Sequence, residues 1–117
     1  DSIDAGSGDN TVDGGVGDDT ISTGAGDDLI LGGDGNDSIN AGDGNNSIDG
    51  GTGNDVLIAG TGNDTLMGGA GNDSISAGDG NDAVLIDADY DSVTGTGNDT
   101  IDGGTGVNTL SFAAAGP

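Results

Sequence analysis

A nine-residue pattern returns along almost the whole chain, and few folds can accommodate it. Gly32–Asn40 reads GGDGNDSIN, and the pattern recurs at Gly14–Ser22 (GGVGDDTIS), Gly50–Ile58 (GGTGNDVLI) and Gly68–Ser76 (GGAGNDSIS). Between these copies lie Thr23–Leu31 (TGAGDDLIL), Ala41–Asp49 (AGDGNNSID), Ala59–Met67 (AGTGNDTLM) and Ala77–Leu85 (AGDGNDAVL), with Ala5–Asp13 (AGSGDNTVD) ahead of them. Asp1–Asp4 supplies the last four places of a further copy, so nine full copies run without a gap from Ala5 to Leu85. A strict period of this length marks a repeat architecture, in which each unit buries its apolar residue only against its neighbours.

Within the nine places, glycine holds the second and fourth, the eighth is always aliphatic, and the sixth is Asp or Asn. The last three places read as a minimal strand, because alternate side chains face opposite ways and only the middle one needs burial. The first six read as a turn, since glycine reaches positive φ without the steric penalty other residues meet. Strand and turn in strict alternation make a solenoid, each coil hydrogen-bonded to the next at about 4.8 Å. The first place sharpens this. Counting Ala5–Asp13 as the first copy, glycine stands there only in even copies (Gly14, Gly32, Gly50, Gly68), while odd copies carry Ala5, Thr23, Ala41, Ala59 and Ala77. The structural unit is therefore eighteen residues, two nonapeptides whose turns lie on opposite sides of one coil.

The pattern breaks at Ile86–Thr94 (IDADYDSVT), which loses its turn glycines but keeps Asp91 and Val93 at the sixth and eighth places. Gly95–Asp102 lacks the first place, and Gly103–Ser111 is a full copy with Asn108 at the sixth. Counted as half-coils, these segments preserve the alternation of sides to the end, stacking Asp99 on Asp82. The reading is thus one array over 1–111, degenerate at 86–94, followed by an exit tail at 112–117 in which Phe112 is a candidate lid. The chain begins in mid-repeat without an initiator Met or signal peptide, and is expected to be a piece of something longer.

Charge restricts the partners. There are 22 acidic residues, all Asp, and no Lys, Arg, His or Cys, for a net charge of −22. Such a chain cannot pair its carboxylates internally and repels itself when compact, so the neutralising charge must come from outside. Nucleic acid and acidic membrane surfaces are excluded, because nothing here can neutralise phosphates. No apolar run approaches the roughly 20 residues that span a bilayer. Without metal, the high charge, few aromatics and abundant glycine favour a disordered chain. Catalysis is poorly served: only Asp, Ser, Thr and Tyr90 could act, and the Asp residues are better explained as ligands.

A Gly-x-Gly-x-Asp turn places a carboxylate beside carbonyl oxygens, which suits a hard cation; calcium takes six to eight such oxygens. One turn supplies too few, so two stacked turns would share an ion. That pairs Asp19 with Asp37, Asp37 with Asp55 and Asp55 with Asp73 on the even side, and Asp64 with Asp82 on the odd side. Pairs that include Asn10 or Asn46 are weaker by one charge.

This array resembles the calcium-binding RTX (repeats-in-toxin) family of bacterial secreted proteins, whose nonapeptide is G-G-x-G-x-D-x-U-x with U a large aliphatic. The resemblance implies a right-handed parallel β-roll with several calcium ions in its turns. They would be held by Asp19, Asp28, Asp37, Asp55, Asp64, Asp73, Asp82, Asp91 and Asp99 and by carbonyls of the glycine regions at Gly15, Gly17, Gly33, Gly35, Gly51, Gly53, Gly60, Gly62, Gly69, Gly71, Gly78 and Gly80. It also implies type I secretion, folding on calcium outside the cell, and a secreted or cell-surface location. The hosts it leaves open are a secreted protease, lipase or epimerase with this as its C-terminal module, an S-layer or adhesin, and an RTX toxin.

Three weaker signals remain. Asp87, Asp89 and Asp91 form D-x-D-x-D, but Ser92 and Asn98 stand where an EF-hand needs Gly and Glu; an irregular calcium site or a plain degenerate coil are the readings left. Leu29, Leu31, Met67 and Leu85 fall on the outside of the odd sheet, either as a stripe for an adjacent domain or neighbouring copy or as scattered surface residues. Thr-x-Asn at Thr52, Thr61 and Thr96 resembles ice-binding adhesin repeats, although Asp34, Asp43, Ala70 and Asp79 interrupt the array.

Overall fold

The computed structural model describes residues 1–86 and 100–112. In chain order their strands are β1 (Ser2–Gly6), β2 (Thr11–Val16), β3 (Thr20–Thr23), β4 (Leu29–Asp34), β5 (Ser38–Asn40), β6 (Ser47–Thr52), β7 (Val56–Ile58), β8 (Thr65–Ala70), β9 (Ser74–Ser76), β10 (Ala83–Ile86), β11 (Thr100–Asp102) and β12 (Thr109–Phe112). Odd-numbered strands form one six-stranded sheet and even-numbered strands a second. Neighbours pair in parallel, and the chain crosses from one sheet to the other at every turn. The result is a parallel β-solenoid of about five turns, the β-roll expected from the sequence.

The register follows the eighteen-residue unit. Ile21 pairs with Ile39, Ile39 with Leu57 and Leu57 with Ile75 in the first sheet. In the second sheet Val12, Ile30, Ile48, Leu66 and Val84 stack the same way. These eighth-place residues are buried, with Ile3 and Ile101 packed partly buried against them. Leu110 pairs with Val84 but is 48 % exposed, and among the described residues no further strand follows β12 in its sheet. Ala41, Ala59 and Ala77, at the first place of odd turns, also belong to the core. That explains the first-place alternation on one side: a methyl group is needed there to fill space.

The three-residue strand holds for β5, β7, β9 and β11, whereas β2, β4, β6 and β8 run six residues, continuing through the glycines that open each even turn. Gly15, Gly33, Gly51 and Gly69 pair across these extensions. A Cβ on Gly33 would stand 2.0 Å from the Gly15 carbonyl oxygen, and its φ of +109° is one that L residues rarely adopt. Glycine there answers both to the turn and to the closeness of the coil below.

The alternation of sides does not survive to the end as half-coil counting predicts. Ser74 pairs with Thr100 and Ala83 with Thr109, offsets of 26 residues where all earlier coils use eighteen. Gly95–Asp102 therefore ends in the sheet of the even repeats, and Gly103–Ser111 joins the odd side. The turn agrees: Thr105 bridges Asp79, continuing the series Ala25, Asp43, Thr61 and Asp79. Asp82 consequently donates its N–H to Asn108, which takes the place that half-coil counting gives to Asp99. The last coil is thus eight residues longer than those before it. Asp87, Asp89, Tyr90, Asp91, Val93, Thr96, Asp99 and the tail from 113 lie outside the described residues, as does the side chain of Phe112.

Outside the second sheet, Leu29 and Leu31 are exposed and Met67 and Leu85 half-buried, but Asp49 stands between Leu31 and Met67 in the same column. A carboxylate thus interrupts the apolar stripe. At the turn surface the threonines are engaged: Thr52 donates to Asp34 (3.1 Å), Thr61 to Asp43 (2.8 Å) and Thr105 to Asp79 (2.6 Å). These are Thr–Asp pairs along the coil stack, not a flat threonine array.

Candidate metal centre

From Gly14 to Asp82 each turn ends on a sixth-place side chain folded into the body. Asp19, Asp28, Asp37, Asn46, Asp55, Asp64, Asp73 and Asp82 are all buried. Each commits one oxygen to the neighbouring coil. On the even side the N–H of Asp19 donates to Asp37 Oδ1 (2.8 Å), that of Asp37 to Asp55 (2.8 Å) and that of Asp55 to Asp73 (2.9 Å). On the odd side the N–H groups of Asn10, Asp28, Asn46, Asp64 and Asp82 donate to Asp28, Asn46, Asp64, Asp82 and Asn108 in turn. The stacked pairs expected from the sequence among the described residues are thus neighbours, and a carboxylate-to-amide bond joins them.

The other oxygen has no such bond. Oδ2 of Asp19, Asp28, Asp37, Asp55, Asp64 and Asp82 is buried and accepts no hydrogen bond. A buried anionic oxygen without a donor is costly, and native structures hold few of them. Burial pushes the Asp55 carboxyl up to about 6, the Asp37 N–H opposes the rise, and the carboxylates of Asp73, Asp37 and Asp49 add to it. Asp64 is raised as well, chiefly by burial, against the hydrogen bond from Asn46 N–H. The only ion pair among the described residues is that of the Asp1 α-amino group with Asp19.

On the even side a second oxygen meets this one. A Cβ on Gly32 would stand 2.6 Å from Asp37 Oδ2 and 2.4 Å from the Gly50 carbonyl oxygen of the next coil. Gly14 has the same cradle with Asp19 Oδ2 (2.7 Å) and Gly32 O (2.5 Å), and Gly50 with Asp55 Oδ2 (2.6 Å) and Gly68 O (2.5 Å). This accounts for first-place glycine in even turns, where a side chain would occupy the space over which carboxylate and carbonyl converge. Among the described residues no three carboxylates converge, so the remaining oxygens must be main-chain carbonyls or water. Such a mixed, anionic oxygen set without a hydrogen-bond donor fits a hard divalent cation.

The RTX calcium-binding nonapeptide repeat (4 copies) matches the chain at residues 1–30, 22–57, 31–66, 58–93 and 91–114. The chain belongs to the RTX repeat family. Neither the curated proteins nor the solved structures hold a significant match to it. Membership makes it a calcium-binding structural repeat, and the RTX repeat is not a catalytic one.

All the turn glycines singled out in the sequence, from Gly15 and Gly17 to Gly78 and Gly80, adopt positive φ. The fifth place carries a role the sequence reading missed. It is Asp or Asn throughout the nine copies, and its Oδ1 accepts the N–H of the fifth place one coil later: Asn36 to Asp18, Asn54 to Asn36 and Val107 to Asn81, at 2.8–2.9 Å. Fifth-place side chains therefore reach one way along the stack and sixth-place side chains the other. The signal was the restriction of that place to Asx, the shortest side chains with a carbonyl-type oxygen.

Proposed function

We propose that this chain is a non-enzymatic calcium-binding module of a secreted or cell-surface bacterial protein, unfolded where calcium is scarce and folded on calcium outside the cell. One observation carries the reading: a column of buried carboxylate oxygens, in Asp19, Asp37 and Asp55 on one side and Asp28, Asp64 and Asp82 on the other, that accept no hydrogen bond. A bound calcium ion supplies two positive charges and a demand for six to eight oxygens, which these carboxylates meet together with turn carbonyls. Asp73 holds the next place in the even column and completes the set within the described residues. The chain's own groups prepare the site, since Oδ1 is fixed by the N–H of the neighbouring coil while Oδ2 is held away from water. An ion that binds only the stacked form stabilises it by mass action. The array over 1–111 then acts as one body, with 112–117 as its exit.

Circular dichroism with calcium and with excess EDTA tests this. A β spectrum is expected with calcium and a coil spectrum with chelator; an unchanged β spectrum in EDTA would sink the proposal.

A further inference from the structure

The three sixth-place asparagines share a property the aspartates lack. With the 26-residue register, Asn108 joins Asn10 and Asn46 on the odd side, so the described even column is carboxylate throughout and the odd column runs Asn10, Asp28, Asn46, Asp64, Asp82, Asn108. Asn46 and Asn108 spend Oδ1 as the aspartates do, accepting the N–H of Asp28 (3.0 Å) and of Asp82 (2.9 Å). That bond fixes the orientation of the amide, because only the oxygen can accept. The second branch is therefore an NH₂ group where an aspartate has Oδ2. It donates back into its own turn: Asn10 Nδ2 to the Gly6 (2.9 Å) and Gly8 (2.7 Å) carbonyls, Asn46 Nδ2 to those of Gly42 (3.5 Å) and Gly44 (3.3 Å), and Asn108 Nδ2 to that of Gly103 (2.6 Å). In Asp28, Asp64 and Asp82 the atom on that branch is a buried oxygen that accepts no hydrogen bond.

We propose that turns 5–10, 41–46 and 103–108 are built to close without a cation, the asparagine NH₂ group supplying to the turn carbonyls the positive partner that Asp-bearing turns take from a metal ion. The substitution is nearly isosteric and changes the electrostatic demand of the turn. A sixth-place Asp presents only oxygens and needs an external charge, whereas a sixth-place Asn brings its own donors and carries no charge. The roll thus has an even side that depends wholly on calcium and an odd side with self-closing turns at its first coil, its middle and its last coil. The proposal rests on the calcium reading of the Asp turns.

Counting bound ions separates the two ideas. Native mass spectrometry at saturating calcium is run on the wild-type chain, Asn46→Asp and Asp64→Asn, with Asp64→Ala as a control. Asn46→Asp should bind at least one more ion than wild type, and Asp64→Asn at least one fewer. Urea unfolding in calcium should find Asp64→Asn more stable than Asp64→Ala, because the amide closes the turn and the methyl group does not. An unchanged count in Asn46→Asp, a full count in Asp64→Asn, or equal stability of the two Asp64 variants would overturn the proposal. If Asn46→Asp does not fold, the Asp64 pair decides alone. Failure of the wild type to bind calcium at all would instead remove the functional reading beneath it.

Discussion

At the sixth place a single atom decides whether a turn needs a partner from solution, and the first place decides whether that partner has room. Gly32 illustrates the second point, since a Cβ there would meet Asp37 Oδ2 at 2.6 Å and the Gly50 carbonyl at 2.4 Å. The side chain can yield, but the carbonyl belongs to a paired strand and cannot. Its φ is not positive, so the obstacle is space and not backbone conformation. Gly32→Ala is accordingly expected to act through the cradle, at the roughly 1–3 kcal/mol typical of overpacking, and to raise the calcium midpoint several-fold in a titration followed by circular dichroism. Ala41→Gly, at the same place on the odd side, should leave the midpoint much closer to wild type, because it opens space where Asn46 already closes the turn. Equal shifts would show that first-place glycine has no bearing on the ion.

Strands contribute unequally because the core is one residue wide. Leu57 in β7 is fully buried between Ile39 and Ile75, whereas Leu110 in β12 lies at the end of its sheet and is 48 % exposed. Leu57→Ala should destabilise the calcium-loaded roll by about 2–5 kcal/mol, as large-to-small core changes do, and Leu110→Ala by well under half of that. Urea unfolding in saturating calcium measures both, and comparable losses would contradict the end-strand account. The same elements show what the sequence made legible. Eighth-place aliphatics and first-place glycines were enough for two parallel sheets and an eighteen-residue register, since side-chain period and coil closure are both fixed by counting. Across Ile86–Thr94 counting lost its markers, as that stretch has no turn glycines to say whether a half-coil has passed. Strand pairing settled it, with Ala83 on Thr109. The sequence did hold a clue, because Asn108 matches the odd column where Asn10 and Asn46 already stood, and Thr105 continues the Thr–Asp series of Thr61 and Asp79. The aspartates were legible as ligands, but their division into a committed and an uncommitted oxygen was not, since it arises only when coils stack. The fifth-place ladder showed only as a restriction to Asp or Asn, whose purpose likewise emerges only when coils stack.

For the whole molecule the governing quantity is charge, −22 with no basic side chain to offset it. Stacking brings the carboxylates together and buries one column on each side, so the roll can be favoured only if their charge is cancelled. Calcium is one way to do so and protons are another. Burial holds the Asp55 carboxyl at about 6, against 3.8 for an ordinary Asp, so the metal-free folded chain binds its proton more tightly than the unfolded chain. Between those values the folded state carries more protons, and its stability falls as pH rises. The contribution is fully present below the ordinary value and lost as pH passes through about 6; Asp64 is displaced in the same direction. In EDTA the chain should therefore be coil at pH 7.5 and gain β ellipticity as pH is lowered toward 4. With calcium the dependence runs the other way, because protons compete for the same oxygens, and the calcium midpoint should climb as pH falls through about 6. Circular dichroism at dilute concentration reads both limbs. A chain that stays coil at pH 4 in EDTA, or a calcium midpoint indifferent to pH between 7 and 5, would mean that the buried carboxylates are not what keeps the metal-free roll unfolded.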